Sequence, residues 1–112
     1  MTRYYDYEGQ PITHDEWIGL FRDDRVVART RLDKSHFRGG SALEVSSVWI
    51  GISWDTDDAL IYETMVFLAD ADSWDDLGCW RWRTRQEALE GHEKIVREIE
   101  SGTLELHDPD LY

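Results

Sequence analysis

Cysteine is almost missing from this chain. Cys79 is the sole one in 112 residues, which excludes an internal disulfide and a multi-cysteine metal site and suits a reducing cytoplasm. No apolar run approaches the roughly 18 residues of a membrane span. The opening Met-Thr-Arg-Tyr-Tyr-Asp lacks the apolar segment of a signal peptide, so no membrane partner is expected. Positive charge is scarce in the second half. Residues 55–112 hold five Lys/Arg against sixteen Asp/Glu, whereas residues 1–54 hold seven against eight, for a total of −12. Such a surface repels phosphate backbones, and direct nucleic-acid binding is not expected. Internal repeats and low-complexity segments are missing too, as are His-Glu-x-x-His, Cys-x-x-Cys, Gly-x-Gly-x-x-Gly and a phosphate loop. No cofactor and no metal centre is therefore expected, nor an enzyme of those motif classes.

What is present is apolar and aromatic. With 41% hydrophobic residues and six tryptophans, the chain is far richer in aromatics than disordered segments are. Its length suits one domain with one core. We expect that domain over residues 1–102 and a C-terminal tail over 103–112, with a short extended piece at 104–106.

Residues 43–54 and 60–68 are two long apolar strand candidates, and Asp55-Thr56-Asp57-Asp58 between them reads as the tight turn of an antiparallel hairpin. Both strands carry apolar side chains on both sides. Val48, Ile50 and Ile52 alternate with Val45 and Trp49, and Ile61, Met65 and Phe67 alternate with Leu60, Tyr62, Val66 and Leu68. A sheet with one wet face would alternate apolar with polar instead. Around this centre, residues 4–12 read as a short hairpin turning at Glu8-Gly9. Thr13-His14-Asp15-Glu16 is a capping box that opens a short amphipathic helix through Trp17, Leu20 and Phe21. Residues 25–32 form a strand with arginines outward, 33–42 a polar loop hinged at Gly39-Gly40, and 70–78 an acidic loop. Residues 79–83 are a strand with Trp80 and Trp82 on one face. Thr84 to Glu87 is a second capping box, and Gly102 stands at the C′ position of a helix whose stripe is Ala88, His92, Ile95 and Ile99.

The expected fold is α+β: a four- or five-stranded antiparallel sheet with two helices, the C-terminal helix packed across one face. The second face then needs the first helix, the N-terminal arm or a second chain, which makes a homodimer one expected solution.

The strings Val45-Ser46-Ser47-Val48-Trp49-Ile50-Gly51, Ile61-Tyr62-Glu63-Thr64-Met65-Val66-Phe67, and Thr84 through Glu87-Ala88 to Gly91-His92-Glu93 resemble a family of small uncharacterised proteins encoded mainly by actinobacterial bacteriophages. The N-terminal Tyr-Tyr-Asp-Tyr-Glu-Gly-Gln-Pro-Ile before a Trp-bearing helix is similar as well. The resemblance spans residues 4–100. It implies a phage accessory gene acting in a host cytoplasm and brings no catalytic residue with it. A shorter link between the third and fourth strands is the family expectation, so residues 69–76 read as an insertion.

Glu63 is the sharpest candidate for chemistry. A carboxylate in mid-strand must reach solvent, protonate or find a partner, and Arg29, Arg31, Arg81 and Arg83 lie on neighbouring strands. A sheet-face Glu–Arg pair is the plain expectation; a ligand pocket between helix and sheet with Glu63 as acid or base is the sharper one. His92, inside an apolar helix stripe, reads as a packed histidine before it reads as a ligand, since His14, His36 and His107 share no motif with it. Asp55, Asp57 and Asp58, or Asp70, Asp72, Asp75 and Asp76, lack the glycine and terminal glutamate of a calcium loop and read as solvated turns. Tryptophans are in surplus: Trp49 is expected along the sheet with Trp80 and Trp82, while Trp54 and Trp74 sit beside acidic turns where binding hot spots form. Glu63, Arg81, Arg83, Trp49, Trp54, Trp74 and His92 are thus the candidate ligand or partner residues. The function expected is a non-catalytic interaction module that binds a host protein, one with a basic surface suited to the acidic half. The alternatives are a small-ligand sequestering protein, an acidic DNA mimic, or an enzyme using Glu63.

Overall fold

Gly51 decides where the central strand stops. Its φ of +64° is a left-handed conformation, and a Cβ there would meet the Trp49 ring at 2.2 Å, so only glycine turns the chain here without moving that ring. The computed structural model describes residues 2–54, 59–70 and 76–108. In it the expected strand over 43–54 is two strands, and the expected tight hairpin is a longer excursion. In chain order the strands are β1 (Arg3–Tyr5), β2 (Pro11–Ile12), β3 (Val26–Leu32), β4 (Leu43–Trp49), β5 (Ile52–Ser53), β6 (Tyr62–Leu68) and β7 (Gly78–Trp82). After Gly51 the chain leaves β4's sheet and β5 pairs with β1, Tyr4 opposite Ile52. It returns at Ile61, whose carbonyl accepts the Ile50 and Gly51 N–H groups at 2.8 and 3.1 Å. The acidic turn at 55–58 lies outside the described residues.

Two antiparallel sheets result, a small one ordered β2-β1-β5 and a four-stranded one ordered β3-β4-β6-β7. The helices are α1 (His14–Phe21) and α2 (Arg85–Ser101). Thr13 caps α1 in the expected box, with both reciprocal bonds made. At α2 the box is shifted: Thr84 accepts from the Glu87 N–H at 3.1 Å, but the Glu87 carboxylate reaches one residue further back, to the Arg83 N–H at 3.0 Å. It still satisfies a backbone donor left open at the helix entry. Gly102 ends α2 in the left-handed conformation, φ +73°.

The inner face of the four-stranded sheet is the core. Leu43, Val45, Ser47 and Trp49 of β4 and Tyr62, Thr64 and Val66 of β6 are buried, and Ala88, Gly91, His92, Ile95 and Ile99 are the buried residues of α2. The apolar part divides into two clusters, one of Leu43, Val45, Val66, Leu77, Ile95 and Ile99, the other of Tyr5, Trp49, Ile61, Tyr62 and Ala88. Trp17, Leu20 and Phe21 of α1 pack on the second cluster. Aromatic donors tie the arm and α1 to it: Trp17 Nε1–H to the Ile50 carbonyl at 2.9 Å, Tyr62 O–H to the Tyr7 carbonyl at 2.6 Å. Residues 103–108 run back over the first cluster, to which Leu104 and Leu106 contribute. No helix among the described residues is long and apolar enough to cross a membrane.

Candidate functional site

Two polar groups stand out, one on each face of the four-stranded sheet. The inner one is a chain of hydrogen bonds between the two apolar clusters. Trp82 Nε1–H donates to Thr64 Oγ1 at 2.9 Å; Thr64 Oγ1 and Ser47 Oγ lie 2.5 Å apart. Ser47 Oγ and His92 Nδ1 are 2.8 Å apart, as are His92 Nε2 and Thr30 Oγ1. An indole N–H can only donate, which orients the chain. With Thr64 donating to Ser47 and Ser47 to Nδ1, each bond is used once and the proton of neutral His92 falls on Nε2, donated to Thr30. The reverse order would leave the Thr64 hydroxyl hydrogen with no acceptor among these bonds. Burial, opposed in part by the Glu93 charge, pushes the His92 pKa below its ordinary value, so the ring is neutral near pH 7.

A serine hydroxyl donating to a histidine nitrogen is the geometry of an activated nucleophile. Here it lacks access. Ser47 and Thr64 have 0% exposure and His92 3%, and the atom on the far ring nitrogen is a threonine hydroxyl, which holds the imidazole without stabilising an imidazolium. The arrangement is a satisfied polar layer inside the core.

On the outer face, Glu63 takes Arg81 as its partner, Nε–H donating to Oε2 at 3.2 Å. The two are opposite each other on β6 and β7, with side chains 14% and 39% exposed. The Arg81 guanidinium also lies over the Trp54 ring, 5.0 Å from its centroid, and Trp54 is 46% exposed. Cys79, next to this pair, is an exposed thiol. Its pKa is pushed up to about 11, first by desolvation and then by the Glu63 charge, so it is protonated and a poor nucleophile at neutral pH.

The structure therefore gathers Glu63, Arg81 and Trp54 into one corner and separates the other candidates from it. Glu63 faces away from α2, because its neighbours Tyr62 and Thr64 take the inner face; a pocket between helix and sheet built on Glu63 is ruled out by that alternation. His92 is in the core network. Trp49 is buried at 1% and its indole N–H donates to the Asp6 carbonyl at 3.3 Å. Arg83 is exposed beyond the end of β7, and Trp74 lies outside the described residues. Among the described residues no three His, Cys, Asp or Glu side chains are grouped to hold a metal.

One feature had no sequence signal beyond a glycine pair. A cleft of about 390 Å³ opens between the 3-10 turn at 37–39 and the C-terminal segment, floored by Leu43, Ile99, Leu104 and Leu106. At its edge Arg38 has φ +51° and holds the Asp108 carboxylate through Nε at 2.8 Å and through Nη2.

Compared with protein-family models, curated proteins and solved structures, the chain matches none.

Proposed function

We propose that this chain is a phage accessory protein of the host cytoplasm, a non-catalytic interaction module that binds and modulates a host protein or a competing phage's protein. The observation that carries the reading is the Trp54–Arg81–Glu63 corner. An exposed tryptophan with a guanidinium over its ring, the guanidinium itself held by a carboxylate, is the residue chemistry that dominates protein interfaces. The charge of −11 over residues 55–112 favours a partner with a basic surface, whose capture it would accelerate. Affinity capture from host lysate followed by mass spectrometry tests this, with wild type and Trp54→Ala at low and high salt. One basic protein, lost at high salt and weakened by Trp54→Ala, is the expected result.

The cleft beside Arg38 favours a second reading, a small-ligand sequestering protein, since it is concave, apolar in its floor and bounded by one charged pair. A small molecule co-purifying with the chain, together with no protein partner at either salt, would select that reading over the first.

A further inference from the structure

Gly19 sits inside α1 with no packing reason to lack a side chain. A Cβ there would meet nothing within 4 Å, and glycine within a helix is less stable than alanine. What it borders is a cleft of about 530 Å³ between α1 and the arm turn, which the Asp6 N–H closes on the Gln10 carbonyl at 2.9 Å. Tyr7, Ile12 and Leu20 give the cleft its apolar lining, and Tyr7 is 37% exposed. The two walls are tied together and to the core. Tyr7 O–H donates to the Leu20 carbonyl at 3.1 Å, the Tyr7 carbonyl accepts from Tyr62 O–H, and the Tyr7 and Trp49 rings lie 4.7 Å apart. Such a cleft is formed before anything enters it.

Charge singles out what fits there. Residues 6–24 hold six of the eight Asp/Glu of residues 1–54 but one of their seven Lys/Arg, so the near balance of that half hides an acidic end. Asp6, Glu8, Glu16 and Asp23 border the cleft, and among the described residues no Lys or Arg lines it. Asp6 and Glu16 each commit an oxygen to backbone N–H groups. Glu8 and Asp23, on opposite walls, are exposed, and neither side chain has a hydrogen bond or ion pair among the described residues. The Tyr7 pKa is raised first by desolvation and then by the Asp23 and Asp24 charges, so their negative field reaches the apolar lining. We propose that this cleft docks a basic segment of a protein partner. An apolar side chain of the segment sits on Tyr7, Ile12 and Leu20, and its lysine or arginine side chains reach Glu8 and Asp23.

Docking here rests on the reading of the chain as an interaction module and adds a second contact to it, on a different surface. The Trp54 corner does not supply this contact, because its ring already carries the Arg81 guanidinium and Arg81 holds Glu63. A hard cation would need six or more converging oxygens, whereas these two uncommitted carboxylates stand on either side of apolar surface. That spacing suits a segment that is cationic at its ends and apolar between them.

Fluorescence anisotropy of a labelled Lys-Lys-Leu-Lys-Lys peptide, titrated with the full chain, tests this. A dissociation constant on the order of 0.1–1 mM is expected, at the weak end of recognition, and binding should fall as salt rises. Replacing the peptide's leucine with glycine should weaken it about fivefold, because only an apolar lining rewards that side chain. Gly19→Leu narrows the cleft and should weaken binding about tenfold or more, while raising the helix's melting temperature; a structural role for Gly19 would not move the two in opposite directions. Glu8→Gln and Asp23→Asn should each weaken binding about two- to fivefold. Glu100→Gln, the same charge change at an exposed position of α2, and Trp54→Ala should leave it unchanged. No binding by about 1 mM overturns the inference. So does binding indifferent to Gly19→Leu and to the peptide's leucine, which is general attraction to an acidic chain. A basic protein captured from lysate and weakened by Trp54→Ala but not by Gly19→Leu keeps the proposed function and overturns the cleft. Peptide binding with the expected variant pattern and no captured protein leaves the cleft standing without the proposed function.

Discussion

The two faces of the four-stranded sheet solve the same problem with different chemistry. Each carries a polar group at the middle of an apolar strand pair. On the inner face Ser47, Thr64 and His92 are fully or nearly fully buried and satisfy one another with neutral hydrogen bonds. On the outer face Glu63 and Arg81 keep part of their surface in water and use opposite charges. Burying an ion pair costs desolvation that its attraction only partly returns, whereas a neutral chain of hydroxyls and an imidazole loses less on leaving water. Depth selects the type of polar contact, and it also predicts which face is sensitive to mutation.

The sharpest break of this comparison is His92→Ala. It removes the ring joining Ser47 to Thr30, leaves the fully buried Ser47 hydroxyl short of an acceptor, and opens a cavity between the two apolar clusters. A loss of about 3–4 kcal/mol is expected in urea unfolding, combining a cavity and an unsatisfied buried hydroxyl. The triple variant Ser47→Ala/Thr64→Val/His92→Leu should lose less than the sum of its single variants, because it removes the orphaned groups together with their partners. Full additivity in that cycle would mean that the chain is not a coupled unit.

Next in size is the pH dependence of the inner face. The folded-state pKa of His92 lies below the 6.5 of a free histidine, so the unfolded chain binds the proton more tightly. The stability contributed by neutral His92 is complete above pH 6.5 and falls as pH descends below it, until the folded pKa is passed. The slope is at most about 1.4 kcal/mol per pH unit for one proton. Carboxylates titrate lower in the same experiment, so the measured quantity is the wild-type stability minus that of His92→Gln, at pH 5 and pH 7.5. A difference that does not shrink toward pH 5 contradicts the assignment.

Much of this frame was legible in the residues, and the parts that were not have identifiable causes. The α+β class, α2 and its stripe followed from apolar periodicity and from Thr84 and Gly102, which are local signals. The break of β4 at Gly51 was not legible, because an isolated glycine between Ile50 and Ile52 does not announce whether the chain bulges, turns or continues. Only contact with the Trp49 ring shows that it must turn. The pairing of Glu63 was legible as a choice among four arginines, and the register between β6 and β7 chose Arg81. The apolar stripe around His92 indicates a packed ring, but nothing in the sequence marks Ser47, Thr64 and Thr30 as its partners, since hydroxyls in strands are common and register brings them together. The cleft beside Arg38 depends on a positive φ in a loop, and nothing in Phe37-Arg38-Gly39-Gly40 encodes which residue takes it.

The smallest effect belongs to the outer face and sharpens the contrast most. Glu63→Gln keeps the shape and an acceptor for the Arg81 Nε–H and removes the charge. With Arg81 more than a third exposed, water and salt screen the pair, so a stability loss under about 1 kcal/mol is expected. The loss should shrink further as ionic strength rises. Arg81 loses its anchor, and the guanidinium is then less often over the Trp54 ring; any partner held by that corner should bind more weakly although the fold is nearly unchanged. The two readouts separate the roles of Glu63. A small stability loss with weakened partner capture marks it as a positioning residue for the Trp54 corner. A loss comparable to that of His92→Ala, with capture intact, would make the outer pair structural and erase the distinction between the two faces.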